Sequence, residues 1–141
     1  MRTMPTADPT IITPDWPAPA NVRAAQTTRQ GGVSRPPFES LNLGGHVGDD
    51  PALVAANRAA LDAGHAWPAE PVWLTQVHGI EVVPAAAGSA CADASWADRP
   101  GVVCSIMTAD CLPVLLCDAG GEVVAAAHAG WRGLVAGVLE A

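Results

Sequence analysis

The 141 residues suit a single domain with room for a real core. Half of them are hydrophobic and only 15% are charged, which excludes a disordered chain. The net charge is −7, all seven basic residues are Arg and Lys is absent, so neither nucleic acid nor an anionic membrane is expected as the main partner; a small molecule or another protein remains.

In chain order, the opening MRTMPTADPTIITPDWPAPA is broken by prolines and has no continuous apolar segment. It reads as an extended lead-in over residues 1–20 and not as a secretory signal. No apolar run reaches the ~20 residues of a membrane span, so the chain reads as cytoplasmic. Cys91, Cys104, Cys111 and Cys117 are then expected to be reduced. Asn21–Arg29 is short and β-compatible. GGVSRPPFESLNLGGHVG, residues 31–48, is dense in Gly, Ser, Pro and Asn and reads as a long functional loop.

DDPALVAANRAALDAG predicts a helix: Asp49 or Asp50 as the cap, Pro51 at the first position, Gly64 at the end. Leu53, Ala56, Ala60 and Leu61 share one face at helical spacing. EPVWLTQVHGIEVV (70–83) predicts a strand pair or a bent strand around His78-Gly79. GVVCSIMTADC (101–111) and LPVLLCD (112–118) predict strands with a break at Pro113. Ala119–Gly121 makes a tight turn, and EVVAAAHAG (122–130) returns as a strand. WRGLVAGVLEA begins a helix that reaches Ala141 without a C-cap, a pattern that reads as cut short.

The chemistry gathers at strand ends. His78, Cys111 and His128 are two imidazoles and a thiol that can meet at one edge of a sheet, and these are the donors zinc prefers. Three protein ligands leave a fourth position open, the catalytic pattern. Taken singly, each has a plainer reading: a lone His in an apolar strand is a hydrogen-bonded core residue, and a free Cys packs as a small hydrophobe. Cys111 can also be a nucleophile with His128 as its base. Asp110, beside Cys111, can orient a ligand or act as acid and base, or cap a turn. Arg132, just after a strand, offers a donor fork for phosphate or simply faces solvent. Asn42 and Gln76 can read base or ribose edges, or satisfy local backbone. His46, on the long loop, suits a lid better than a metal.

The segments GGVSRPPFESLNLGGHVGDDP, WLTQVHG, TADCLPVLL and AAAHAGWRG, in this order from about Asn21 to Ala141, resemble the laccase-domain family. It is also called the YfiH or multicopper-polyphenol-oxidase-like family. The resemblance implies an α+β fold of α/β/β/α layers, of which residues 1–141 form the N-terminal portion. It implies zinc held by a His, a Cys and a second His, at positions matching His78, Cys111 and His128. It further implies a purine nucleoside phosphorylase that also deaminates adenosine and cleaves methylthioadenosine, with nucleosides and orthophosphate as partners. Three alternatives stand beside it: a copper polyphenol oxidase, with Met107 near the Cys as an axial donor; a Cys-His hydrolase or cell-wall-precursor editing factor; and a non-catalytic chain that merely folds, or that binds a partner or dimerises through uncovered apolar surface.

Overall fold

A computed structural model describes residues 11–141. Residues 1–10 of the expected lead-in lie outside that range. The class is α+β, as expected, and the chain divides into two compact units.

In the first unit, described over residues 11–15 and 24–66, β1 (Ile11–Ile12) pairs antiparallel with β2 (Gln26–Thr27). The loop after β2 leads to α1 (Pro51–His65). Asp50 caps α1 by accepting the Ala52 amide at 2.9 Å, and Pro51 takes the first position as its fixed φ predicts. The helix runs past Gly64 and stops at Ala66, which adopts the left-handed conformation (φ 48°) expected of the glycine. The buried face is Val54, Asn57 and Leu61, so of the predicted face only Leu61 is buried and Ala56 is exposed. The pattern was displaced because a polar residue occupies the centre. Asn57 is fully buried and its side chain ties the loop to the helix: it accepts the Val33 amide and donates to Ser34 Oγ and the carbonyls of Ser40 and Asn42.

The second unit comprises residues 16–23 and 67–141. Its sheet has the order β3-β4-β6-β5, with β3 (Val82–Pro84) parallel to β4 (Ala94–Ala97) and the other pairs antiparallel. β5 (Leu112–Cys117) and β6 (Val124–Ala129) form a hairpin. Asp118 shapes the turn, accepting the Glu122 and Val123 amides on one oxygen. β5 runs through Pro113 without the predicted break, because β5 is an edge strand that can spare an amide donor. The predicted strand over 101–111 does not form; Cys104 makes one isolated bridge to Val72. Its polar groups go elsewhere, Ser105 Oγ donating to the Val72 carbonyl and the Met107 amide to Gln76. The segment 70–83 is bent as expected, with bridges at Val72 and Thr75 before β3. The β4 strand was not foreseen.

The sheet core is small-residue packing: Ala94, Ala127, Ala129 and Val138, with Val82 and Val114 against them. The last helix, α2 (Trp131–Ala136), does have a C-cap. Gly137 (φ 101°) ends it after six residues, and the amides of Gly137 and Val138 close back on the Gly133 carbonyl.

Candidate metal centre

The β5–β6 register brings the first two donors together. Leu112 lies opposite Ala129 and Pro113 opposite His128, so Cys111, one step before β5, falls beside the end of β6. His78 arrives from the turn after the 70–77 segment. The donor atoms of His78, Cys111 and His128 all lie within 4.8 Å of one another. His78 Nε2 is 3.8 Å from the thiol sulfur, and the two imidazoles meet edge to face at 4.7 Å. His128 is buried, Cys111 half-buried and His78 exposed, so the group is anchored on one side and open on the other. Two nitrogens and a sulfur at this spacing can hold a metal ion and leave a position for another ligand.

Such proximity needs space, and Gly130 supplies it. A Cβ there would meet Cys111 Sγ at 2.7 Å and His78 Cδ2 at 3.5 Å. Gly130 has φ −67°, so the requirement is for room and not for a left-handed backbone.

Sequence reasoning missed Asp93. It is fully buried just before β4, and its carboxylate accepts four hydrogen bonds. The Val77 and Gly79 amides donate to Oδ2 at 3.1 and 2.8 Å; the His78 amide and His128 Nδ1 donate to Oδ1 at 2.9 and 2.8 Å. The only signal in the sequence was a lone acid within the small-residue stretch ACADASWA. Burial pushes the Asp93 carboxyl up, but the bond from His128 and the three amides outweigh it and hold the group below its ordinary value. The same amides stabilise His78 in the left-handed region (φ 61°), which costs a non-glycine residue roughly 1–2 kcal/mol. At Cys111 the balance is opposite. Burial raises the thiol, and the negative charges of Asp110 and then Asp93 raise it further. A thiol so placed is a weak nucleophile unless a cation or a base draws off its proton.

Asp110 is exposed beside this group, its Oδ1 3.8 Å from the Cys111 sulfur. Arg132 is exposed at the start of α2, with its guanidinium carbon 5.4 Å from the centre of the Trp131 ring. Gln76 commits both amide atoms to Met107, donating to its carbonyl and accepting its amide, each at 2.7 Å. Asn42 sits in the first unit, where it accepts the Gly44 amide and donates to Asp49. For both, the local-backbone alternative describes what the side chain does here. His46 is exposed on the long loop of that unit.

Residues 23–141 match the model of the family described as multi-copper polyphenol oxidoreductase laccase. The chain belongs to this family. A Pseudomonas aeruginosa relative named purine nucleoside phosphorylase is 63% identical over 131 residues, covering 92% of this chain and 53% of its own. The Escherichia coli purine nucleoside phosphorylase YfiH is 56% identical over 133 residues, covering 92% of this chain and 55% of its own. Among solved structures, a Neisseria meningitidis protein superposes with a TM-score of 0.86 at 53% identity over 92% of this chain and 54% of that one. YlmD from Geobacillus stearothermophilus gives 0.76 at 35% identity, over 82% and 48%. The chain thus spans about half the length of the curated relatives it matches. Among the described residues no helix is long and apolar enough to cross a membrane.

Proposed function

We propose that this chain carries the centre of a zinc-dependent purine nucleoside phosphorylase, with His78, Cys111 and His128 as the metal ligands. The convergence of those three donor atoms within 4.8 Å carries the reading. The names of the relatives, at 49–63% identity, support the choice of reaction. Zinc fits a nitrogen–nitrogen–sulfur set open on one side, and when bound it supplies Lewis-acid polarisation.

The chain's own residues have the remaining tasks. Arg132 presents its donor fork to orthophosphate. In phosphorolysis a phosphate oxygen bonds to the ribose anomeric carbon as the bond to purine N9 breaks. The electron pair leaves on the purine, which takes up a proton, and Asp110 is placed to manage that proton beside Cys111. Cleavage of methylthioadenosine follows the same exchange. Deamination of adenosine at the same centre needs water in place of phosphate: the water oxygen bonds to purine C6 and the C6–N bond breaks. The amino group leaves as ammonia with one proton of the water, the other stays on the purine ring, and Asp110 carries the proton transfer. Four free cysteines fit a cytoplasmic setting, and exposed Leu112 and Leu116 on edge strand β5 favour a homodimer.

Purified zinc-loaded protein with inosine or adenosine is expected to release free base and ribose 1-phosphate only when phosphate is present, and Cys111→Ala is expected to abolish this. Full turnover in Cys111→Ala would sink the assignment.

A second reading has its own observation. Asp93, His128 and Cys111 line up as orienting acid, base and thiol, the order of a cysteine hydrolase, including one that edits cell-wall precursors. Rapid alkylation of Cys111 by iodoacetamide in zinc-treated protein would favour it; protection favours a ligand. The copper oxidase reading has the family's description behind it. However, the chain has only four histidines, and His46 and His65 stand outside the donor group. A blue thiolate–copper absorption on copper loading would restore it.

A further inference from the structure

We infer that Asp93 is the positioning residue that makes this donor set ready for metal, orienting two of its three ligands at once. The inference rests on His78, Cys111 and His128 being the metal ligands.

A neutral imidazole has one N–H and one lone pair, and a ligand must present the lone pair to the metal. His128 Nδ1 lies 2.8 Å from Asp93 Oδ1 inside the fold, where Asp93 is fully buried and His128 nearly so. A buried carboxylate accepts only, so the proton is fixed on Nδ1 and Nε2 is left as the donor. A neighbouring backbone bond, from the His128 amide to the Asp93 carbonyl at 2.7 Å, locks the two residues in register. At the other ligand, three consecutive amides of residues 77–79 converge on the same carboxylate. Such a ring of N–H groups is an anion-binding nest, here filled by the protein's own acid. It holds the turn that sets His78 at φ 61°. His78 and His128 are far apart in sequence, and Asp93 Oδ1 bonds to both residues.

Four donors and an acceptor-only group match one to one. Asparagine cannot reproduce the match, although its shape is the same. With its NH2 toward Val77 and Gly79, donors face donors. With its NH2 toward His78 and His128, the His78 amide loses its partner, and His128 Nδ1 must turn acceptor, which moves the proton onto Nε2. Either arrangement spoils a ligand.

The test uses the full chain, 15N-labelled and stripped of metal, at about pH 8, above the ordinary histidine range. Long-range imidazole NMR correlations read the His128 tautomer, and competition with a chelator reads Co2+ affinity. Wild type is expected to carry the His128 proton on Nδ1 and to show thiolate-to-cobalt absorption when loaded. Asp93→Asn is expected to shift the tautomer toward Nε2–H and to weaken Co2+ binding about 10–100-fold. A wild-type proton on Nε2 overturns the inference even if the Asn variant does not fold, and so does unchanged Co2+ affinity in a folded Asn variant. Wild type that binds no Co2+ at Cys111 overturns the metal reading itself. Wild type that binds Co2+ with the expected tautomer, yet never cleaves a nucleoside, removes the phosphorylase assignment and leaves the role of Asp93 standing.

Discussion

Replacing Gly130 with Ala probes how closely the centre is packed. The new methyl would lie 2.7 Å from Cys111 Sγ and 3.5 Å from both Cys111 Cβ and His78 Cδ2. Non-bonded heavy atoms are comfortable at about 3.5–4.0 Å, so the sulfur must retreat by roughly 1 Å. A metal–thiolate bond tolerates about 0.2 Å around its ideal length, so that retreat would remove or badly weaken one of the three proposed ligands. The backbone adds little, because φ −67° suits alanine. Overpacking of this kind costs about 1–3 kcal/mol of stability, too little by itself to unfold a typical domain. Calorimetric titration with Zn2+ against a competing chelator is expected to show affinity down by more than about tenfold, the smaller end of what a misaligned ligand costs. Circular dichroism should remain that of the folded chain. Wild-type zinc affinity in folded Gly130→Ala would refute the reasoning, since the sulfur would then not occupy the place that the β5–β6 register assigns it.

Asn57→Ala leaves the Val33 amide and the Ser40 and Asn42 carbonyls without their buried partner; an unfolding free energy lower by about 3 kcal/mol in urea titration is expected, and a change under 1 kcal/mol would contradict it. Gly64 lies within α1 with open space around its Cβ position, so Gly64→Ala is expected to raise the melting temperature by a few degrees, from a gain of about 1 kcal/mol or less. The Val123 amide bond, foremost, and that of Glu122 hold the Asp118 carboxyl below its ordinary value against the opposing effect of desolvation. Its folded pKa is therefore depressed, so its contribution is complete above the unfolded value of about 3.9 and is lost as pH falls through the lower folded value. Melting temperatures should drop below about pH 4 in wild type, and less steeply in Asp118→Asn; identical slopes would show that the turn does not depend on the carboxylate.

The sequence made some of these features legible because they rest on local physics. The start of α1 was readable from Asp50 and Pro51, whose roles depend on neighbours one and two residues away. The hairpin of β5 and β6 was readable from two apolar runs around Asp118–Gly121. Where partners are distant the reading failed. Residues 101–111 read as a strand, yet Ser105 and Met107 give their hydrogen bonds to Val72 and Gln76 and the segment joins no ladder. Ala56 suited the apolar face of α1 by spacing, but buried Asn57 took the centre because four groups of the preceding loop needed it. The three donors were legible because their types and the motifs around them are distinctive. Asp93 was not, since an acid between alanines has no local role, and its four partners lie 14 to 35 residues away in sequence.

The register also explains how the donors of the centre come to one place. Antiparallel pairing fixes Leu112 against Ala129 and therefore carries Cys111 to Gly130. A slip of one residue would turn the His128 side chain to the opposite face and separate it from both Asp93 and the thiol. What prevents the slip is the packing of the same strands. Alternate β6 residues Ala127 and Ala129 are buried against Ala94 and Val138, and Pro113 has a place only on an edge strand. Small side chains in this sheet let the segments approach closely, and the carboxylate of Asp93 bonds to both imidazole-bearing segments. Stability of the sheet and geometry of the donors are thus set by the same pairing. A substitution that enlarges the Ala127–Ala129 face is therefore expected to disturb the spacing of the donors and the stability of the sheet together.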